Sequence, residues 1–408
     1  MIPLKIALIA DTHLFSSEIG GNWAEDSFSI FQDRLLKEIS KGKPSALIFL
    51  GDNLDPHSGR SDPRWPRGDE ASIRFVKALK ESGIEKVYAL KGNHDYEEPM
   101  KLMAETGTPY FVDNGWVVLD DTAFYFFTSR YPDLKKAVDD LKSIPEINAE
   151  RKVLLMHESI SIEDAENLPK KTLEELSKRY NLVLNGHEHA PKRPAKNVFC
   201  ISSALPWRAG YGTCDLEILW RASGDPQIKQ AESKFGYWTI DTEVDDKPLI
   251  PEFVPVDIGI KIAVARLEFS DAPVAQVREM LIRTAELIAS KHTPKNTVVR
   301  VYMSGTLKEG DERIDVDFGD IGEKHYSCFY EGKADVFSLA ELKGGGSYLS
   351  KDELSYVSIE DAVQKLKKEF PNIEDFYREV YELIERKSFD PEALIERVKN
   401  SRNLGVKE

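Results

Sequence analysis

Cysteine is scarce in this chain, and positive charge is outnumbered. The three cysteines among 408 residues are Cys200, Cys214 and Cys328. An odd, scattered set builds no disulfide framework and has no zinc-site spacing, which points to a cytosolic, cytoplasmic protein. Lysine and arginine together number 55 against 70 acidic residues, a formal net charge of −15. Nucleic-acid binders ordinarily carry a basic face, so this balance argues mildly against a DNA partner. It does not exclude one, because a metal cluster neutralises carboxylates locally and a basic strip can hide in an acidic total. Long apolar runs are also missing. The stretch Ile2 to Ala10 ends at Asp11, too short for a membrane span and without the basic start and cleavage site of a secretion signal. No later stretch approaches the roughly 18 apolar residues that a span requires. No internal repeat at a fixed period is present.

What is present is a 41% apolar fraction, enough for real cores, in a length that suggests two or three domains. Short apolar runs alternate with helical spacing. Leu4 to Ala10, Ala46 to Leu50 and Val87 to Leu90 have strand length. Between them, Glu25 to Lys41 carries the stripe Phe28, Phe31, Leu35, Leu36 and Ile39. Asp69 to Ser82 carries Ile73, Val76 and Leu79 before Gly83. This alternation predicts an α/β fold built on a largely parallel sheet. Trp116 to Leu119 and Ala123 to Thr128 read as a hairpin. Val153 to Met156, Leu182 to Leu184, Val198 to Ser202, Cys214 to Trp220 and Phe235 to Asp241 continue the strands.

The proline- and charge-rich segment Asp245 to Pro255 marks a domain boundary. Beyond it, strands at Ile262 to Leu267, Thr297 to Met303 and Ile314 to Phe318 and an amphipathic helix over Ala272 to His292 predict a smaller α+β unit. After the glycines Gly344 to Gly346 the last sixty or so residues read as helical. Ser358 to Asp361 fits a capping box, and Asp390-Pro391 fits a helix start. The expected organisation is 1–245, 256–335 and a helical tail over 350–402.

Five stretches sit just past predicted buried strands, where ligands bind in open α/β sheets. They are Asp11-Thr-His13, Gly51-Asp52, Gly92-Asn-His-Asp95, His157 and Gly186-His-Glu-His189, and they hold five of the eight histidines. Any one of them alone is a common turn or surface residue. All five together point to a metal site. Side chains at i and i+2 of an extended loop face one side, so His187 and His189 can share a pocket. Seven groups suffice for two cations: Asp11 and His13 on one, Asn93 and His157 on the other, and His187 and His189 divided between them. Asp52 bridges, with Gly51 allowing close approach. Such nitrogen and oxygen ligation suits manganese, iron or zinc better than calcium or magnesium. Two cations about 3.5–4 Å apart clamp the attacking and leaving oxygens of a phosphoryl displacement. His94 is then free to protonate the leaving oxygen or stabilise charge on the phosphate, with Asp95 beside it to orient the ring. Asp55 and His57 read as turn and loop residues. Glu158 and Glu188 read either as supporting groups or as solvated ones.

D-x-H, G-D, G-N-H-D, a lone H and G-H-x-H, in this order over roughly the first 220 residues, resemble the calcineurin-like metallophosphoesterases. The resemblance implies a β-sandwich flanked by helices and two divalent metal ions. One is held by Asp11, His13, Asp52 and His189, the other by Asp52, Asn93, His157 and His187, with His94 acting on the phosphate. Within that superfamily the chain is similar to the SbcD-type, or "meiotic recombination eleven", double-strand-break-repair nucleases. The residues carrying this likeness are Ile201-Ser-Ser-Ala-Leu-Pro206, Lys234-Phe-Gly-Tyr-Trp-Thr-Ile240 and Pro251-Glu-Phe-Val-Pro255, followed by an α+β unit where that family has its cap and by helices at the end.

This finer likeness implies a manganese-dependent DNA nuclease, 3′-to-5′ exonuclease and single-strand endonuclease. It further implies a homodimer whose C-terminal helices bind an SbcC-type ("Rad fifty") coiled-coil ATPase, with no membrane association. Small-phosphodiester hydrolysis and a non-catalytic scaffold are the alternatives. Two departures stand out. Asp55 occupies the position three residues after Asp52 where many members carry histidine. Ser202-Ser203-Ala204 replaces the usual Pro-Gly-Ser.

Overall fold

A computed structural model describes residues 5–16, 19, 23–56, 68–119, 121–130, 133–160, 168–207, 214–221, 224–231, 235–242, 248–293, 296–308, 327–331 and 336–337. The predicted strand at 314–318, the glycine stretch, the capping box, the tail over 350–402, His57 and His325 lie outside the described residues.

Two sheets form a sandwich. In the first, Lys5–Ile9, Ala46–Leu50, Val87–Leu90 and Tyr110–Phe111 run parallel, and Gly236–Asp241 and Glu252–Pro255 add antiparallel strands at one side. In the second, Gly115–Leu119 pairs antiparallel with Thr122–Phe127, as the hairpin pattern predicts. Arg151–Met156, Leu182–Asn185 and Val198–Cys200 follow in parallel, with Lys192–Ala195 antiparallel at the far edge. Strand alternation assigns the faces. Ile6, Leu8, Ile48, Leu50, Phe124, Phe126, Val153, Leu155, Leu182 and Leu184 fill the space between the sheets. Ala7, Ile9, Leu47 and Phe49 face the other way, onto helices. The architecture is an α/β sandwich of two sheets with flanking helices.

The helix covering the outer face of the first sheet runs Trp23–Ile30, widens into a π turn over Phe31–Leu36 and resumes as Lys37–Lys41. The predicted stripe, Phe28, Phe31, Leu35, Leu36 and Ile39, is buried throughout. Helix Gly68–Glu81 lies on the same side. Helices Leu134–Ser143 and Lys170–Arg179 cover the second sheet's outer face through Ala137, Leu141, Leu173 and Leu176. Burying aromatic and aliphatic side chains of this size stabilises by about 1.5–3 kcal/mol each.

A third sheet begins ahead of the proline-rich segment. Leu216–Trp220 pairs with Lys261–Ala272 in parallel, and Thr297–Leu307, Gln227–Gln230, Ser327–Glu331 and Val336–Phe337 are its other strands. The chain therefore leaves the sandwich, lays down two strands and returns to the first sheet at Gly236–Asp241 before going back to the third. Helix Val274–Lys291 packs Val277, Leu281 and Ile288 on one face of this sheet. Ile262, Val264 and Val298 on the other face share a core with Phe31 and Leu35. Among the described residues no helix is long and apolar enough to cross a membrane.

Candidate metal centre

Strands Lys5–Ile9, Ala46–Leu50 and Val87–Leu90 are parallel in one sheet, and Arg151–Met156 and Leu182–Asn185 are parallel in the other. Their carboxyl ends therefore deliver all five stretches to one edge of the sandwich. Backbone bonds lock the loops together. Asp11 N–H donates to Gly51 carbonyl at 3.2 Å, His13 N–H to Asp52 carbonyl at 3.0 Å and Gly186 N–H to Met156 carbonyl at 3.1 Å. Asn185 ties the fourth stretch to the fifth. Its side chain accepts from Glu158 N–H at 2.9 Å and donates to the carbonyls of Glu158 at 2.8 Å and Gly186 at 2.7 Å.

The backbone is strained where the ligands sit. Asp11, His13, Asp52, His187 and His189 all have positive φ, between 40° and 69°. Non-glycine residues adopt such angles at a cost that the surrounding structure must hold in place, and these positions cluster at functional sites. Gly51 has φ 85°, and a Cβ there would come within 2.5 Å of His157 Nδ1. A Cβ on Gly92 would overlap the Asp52 carboxylate. Both glycines are therefore required for loop-to-loop approach.

The side chains gather into three groups, of which two are built wholly from the predicted ligands and the third joins His13 to Asp55 and His94. Asp11, His13 and His189 bring ligand atoms within 4.8 Å of one another, and so do Asp52, His157 and His187. Asp52 Oδ2 lies 3.6 Å from His13 Nε2 and 3.0 Å from His157 Nε2, so it joins the two groups. Asn93 Oδ1 lies 3.2 Å from His157 Nε2 and 2.9 Å from His187 Nδ1, which seats it with the second triad. His157 Nδ1 donates to Leu50 carbonyl at 2.7 Å, leaving Nε2 to face the cluster.

Asp11, Asp52 and His157 are each no more than 1% exposed, which sets their charges. Burial, helped by the Asp52 charge and opposed by His157, pushes Asp11 up to about 7. Burial also works against the Asp52 carboxylate, but His157 and His13 outweigh it and hold Asp52 well below the ordinary range. Burial opposes the His157 cation, yet Asp52 and Asp11 push it up to about 10. His187 falls to about 4 and His189 falls well below its ordinary value, through burial and then neighbouring histidines. Those two rings are neutral near pH 7 and ready to ligate.

The donor set fits divalent cations. Asp11 Oδ2 is buried and makes no hydrogen bond among the described residues, and a buried polar atom of that kind calls for a partner. Mixed carboxylate, amide and imidazole donors in two groups sharing one carboxylate suit two such ions.

The neighbours of the triads depart from the sequence expectation in one role. Asp95 does not orient His94. Its carboxylate accepts from the N–H groups of Gly92 at 2.8 Å, Asn53 at 2.8 Å and Leu54 at 3.3 Å, and from the Asn53 amide at 2.9 Å. Backbone amides converge on it, so it braces the loops that carry Asp52 and Asn93. His94 instead hangs by its N–H from Asp52 Oδ1 at 2.8 Å, and its ring Nδ1 lies 3.7 Å from Asp55 Oδ1. Burial opposes the His94 charge, but Asp55 and Asp52 raise it above its ordinary value. Its side chain is 31% exposed, so it reaches solvent beside the cluster.

Two further residues belong to the site. Asp55 has the sequence pattern of a turn residue, and Trp207 carries no motif. The Trp207 ring stacks on His13 with centroids 4.7 Å apart and meets His94 edge-on at 5.0 Å. Glu158 accepts from Arg130 N–H at 2.6 Å, and Glu188 accepts from Ile160 N–H at 2.8 Å and Lys192 at 2.7 Å. Both glutamates therefore tie loops together.

Comparison with known proteins agrees with this geometry. Residues 4–191 match the family described as calcineurin-like phosphoesterase, and that span of the chain is similar to it. A protein of Pseudoalteromonas sp., named as a probable cyclic nucleotide phosphodiesterase, is 32% identical over 102 residues. That match covers 25% of this chain and 35% of the relative, so the likeness spans about a third of the relative's length.

Proposed function

We propose that this protein is a two-cation phosphodiesterase that hydrolyses DNA, working as a nuclease in break repair with a coiled-coil ATPase as partner. The observation that carries the phosphodiesterase reading is the pair of triads joined by Asp52, with His94 beside them at the solvent boundary. The cations, when bound, would polarise the phosphoryl oxygens and supply a nucleophile from water at neutral pH. The protein's own part is to hold and to move protons. Asp52 fixes His94 through its backbone N–H, and Asn93 spaces His157 from His187. His94, raised above its ordinary value, carries a proton that it can give to the leaving oxygen or hold against the phosphate charge. The burial of Asp11, His13, Asp52, His157 and His189 lowers the dielectric around them, which strengthens each electrostatic contact.

The DNA assignment rests on the part of the chain beyond the phosphoesterase domain. The third sheet, its helix Val274–Lys291 and the residues after it are more than a small substrate needs. Manganese is the cation that this reading favours, and the ATPase would dock on the helices expected near the C-terminus. The second reading is hydrolysis of small phosphodiesters or nucleotides, favoured by the name of the Pseudoalteromonas relative.

Incubation with labelled linear duplex and single-stranded DNA, a cyclic nucleotide and bis-para-nitrophenyl phosphate separates the two, each with manganese, magnesium or a chelator. The expected result is cutting of DNA in manganese, none with chelator, and slow turnover of the chromogenic ester. Rapid turnover of the cyclic nucleotide with intact DNA would replace the nuclease assignment by the second reading.

A further inference from the structure

We propose that Trp207 is a positioning residue for one of the two cations: its ring face fixes the imidazole planes of His13 and His189, whereas hydrogen bonds hold those of His157 and His187. The inference rests on the two-cation phosphodiesterase reading and says which cation depends on the indole. Trp207 is 9% exposed. Its ring stacks on His13 at 4.7 Å and 17°, and lies tilted on His189 at 5.3 Å and 37°. The two imidazoles stack on each other at 5.0 Å and 23°. The three rings therefore form a closed trio over the group that contains Asp11.

The segment after strand Val198–Cys200 carries the indole to this place. Ser203 N–H donates to His189 carbonyl at 3.1 Å, and Ser203 Oγ donates to Asp11 carbonyl at 2.7 Å. Ala204 N–H donates to Ala10 carbonyl at 2.9 Å. The backbones of the two loops that hold Asp11 and His189 are thus tied to the segment that ends at Trp207. The indole is fixed in turn, because its Nε1 donates to Asp55 Oδ2 at 3.1 Å.

An imidazole that ligates a metal is ordinarily oriented through its other nitrogen. The second group follows that rule. His157 Nδ1 donates to Leu50 carbonyl at 2.7 Å, and His187 Nδ1 lies 2.9 Å from Asn93 Oδ1. His13 departs from it. Its Nδ1 is buried and makes no hydrogen bond among the described residues, and Asp55 Oδ2, at 3.6 Å, is outside hydrogen-bond range. A face contact sets the ring instead. Stacked rings are attracted only while their planes keep the offset arrangement, so the indole opposes rotation of His13, and His13 holds His189 through their own stack. The two Nε2 atoms then lie 3.4 Å apart, one 3.6 Å from Asp52 Oδ2 and the other 3.6 Å from Asp11 Oδ1, which is the ligand side. The same indole meets His94 edge-on at 5.0 Å, so turnover would mix two effects, and metal uptake is the cleaner readout.

The test uses the full chain, freed of metal, labelled with nitrogen-15 in its histidines and titrated with Zn²⁺, a diamagnetic ion suited to the same donors. Trp207→Leu keeps apolar bulk and removes the flat face. The ring signals of His13 and His189 should reach their bound positions at about 10–100-fold higher Zn²⁺ than in the wild type, the loss expected when the support of a ligand is removed. Those of His157 and His187 should stay within a few-fold of wild type. Trp207→Phe keeps a stacked ring and loses the indole N–H, so it should bind as the wild type does. Should Trp207→Leu fail to fold by circular dichroism, Trp207→Met supplies the same comparison with a more adaptable side chain. Equal weakening at all four rings, or none at any, would overturn the assignment. Trp207→Phe behaving like Trp207→Leu would overturn it too, because the N–H and not the ring face would then carry the effect. A wild-type chain that takes up neither Zn²⁺ nor Mn²⁺ would overturn the two-cation reading itself, a result distinct from these.

Discussion

Asp52→Asn should reduce phosphodiester hydrolysis by at least about 10³-fold, the upper range for loss of one preorganised electrostatic group. The side chain is nearly isosteric, and the amide oxygen can still accept from His94 N–H, so the loops keep their path. The charge shared between the triads is what disappears. Asp52 Oδ2 sits 3.6 Å from His13 and 3.0 Å from His157, and no other carboxylate among the described residues reaches both rings this closely. Without that charge His157 also loses the largest of the pulls that raise it. The variant should bind Mn²⁺ weakly and keep its far-ultraviolet circular dichroism. Turnover of bis-para-nitrophenyl phosphate beside wild type checks the first point, and calorimetry the second. Wild-type turnover in Asp52→Asn would mean that the two triads work without a shared carboxylate.

His94→Ala should lower kcat by about 10²–10⁴-fold, the range for loss of a positioned acid–base group. Mn²⁺ affinity should stay within a few-fold of wild type. The contrast with Asp52→Asn is the informative part. His94 sits in neither of the triads that contain Asp11 and Asp52, and it is partly exposed where Asp11, His13, Asp52, His157 and His189 are buried. Steady-state kinetics at saturating Mn²⁺, with affinity measured in parallel, separates the roles. Equal losses of binding and turnover would place His94 among the ligands.

Much of this centre is visible in the sequence because parallel strands end at one side, so polar residues just past each apolar run must meet. Asp11, His13, Asp52, Asn93, His157, His187 and His189 all obey that rule. Asp55 and Trp207 do not, since their meeting depends on a contact across 152 positions that no local pattern encodes. Adjacency alone pairs Asp95 with His94, but the amides of Gly92, Asn53 and Leu54 converge on its carboxylate. Backbone donors are invisible to residue-type reasoning.

The fold shows the same division. The strands and the helix stripe Phe28, Phe31, Leu35 are read from hydrophobic period. Leu216–Trp220 has the strand pattern, but nothing in it says that its partner is Lys261–Ala272 in the third sheet. The π turn over Phe31–Leu36 leaves the buried stripe intact and so has no signature in the pattern. Helices Glu97–Thr106, Leu134–Ser143 and Lys170–Arg179 leave little trace in the sequence, since each is only ten residues long and largely charged on its outer side.

Calorimetric titration of the metal-free chain with Mn²⁺ tests the central claim most directly. The account predicts two ions per chain. Protons should be released on binding, because His157, pushed up to about 10, and Asp11, pushed up to about 7, are both substantially protonated at neutral pH without metal. Ligation requires the deprotonated forms, so affinity should rise from about pH 6 to about pH 8. No uptake, or a single ion bound with no proton released and no dependence on pH, would contradict it.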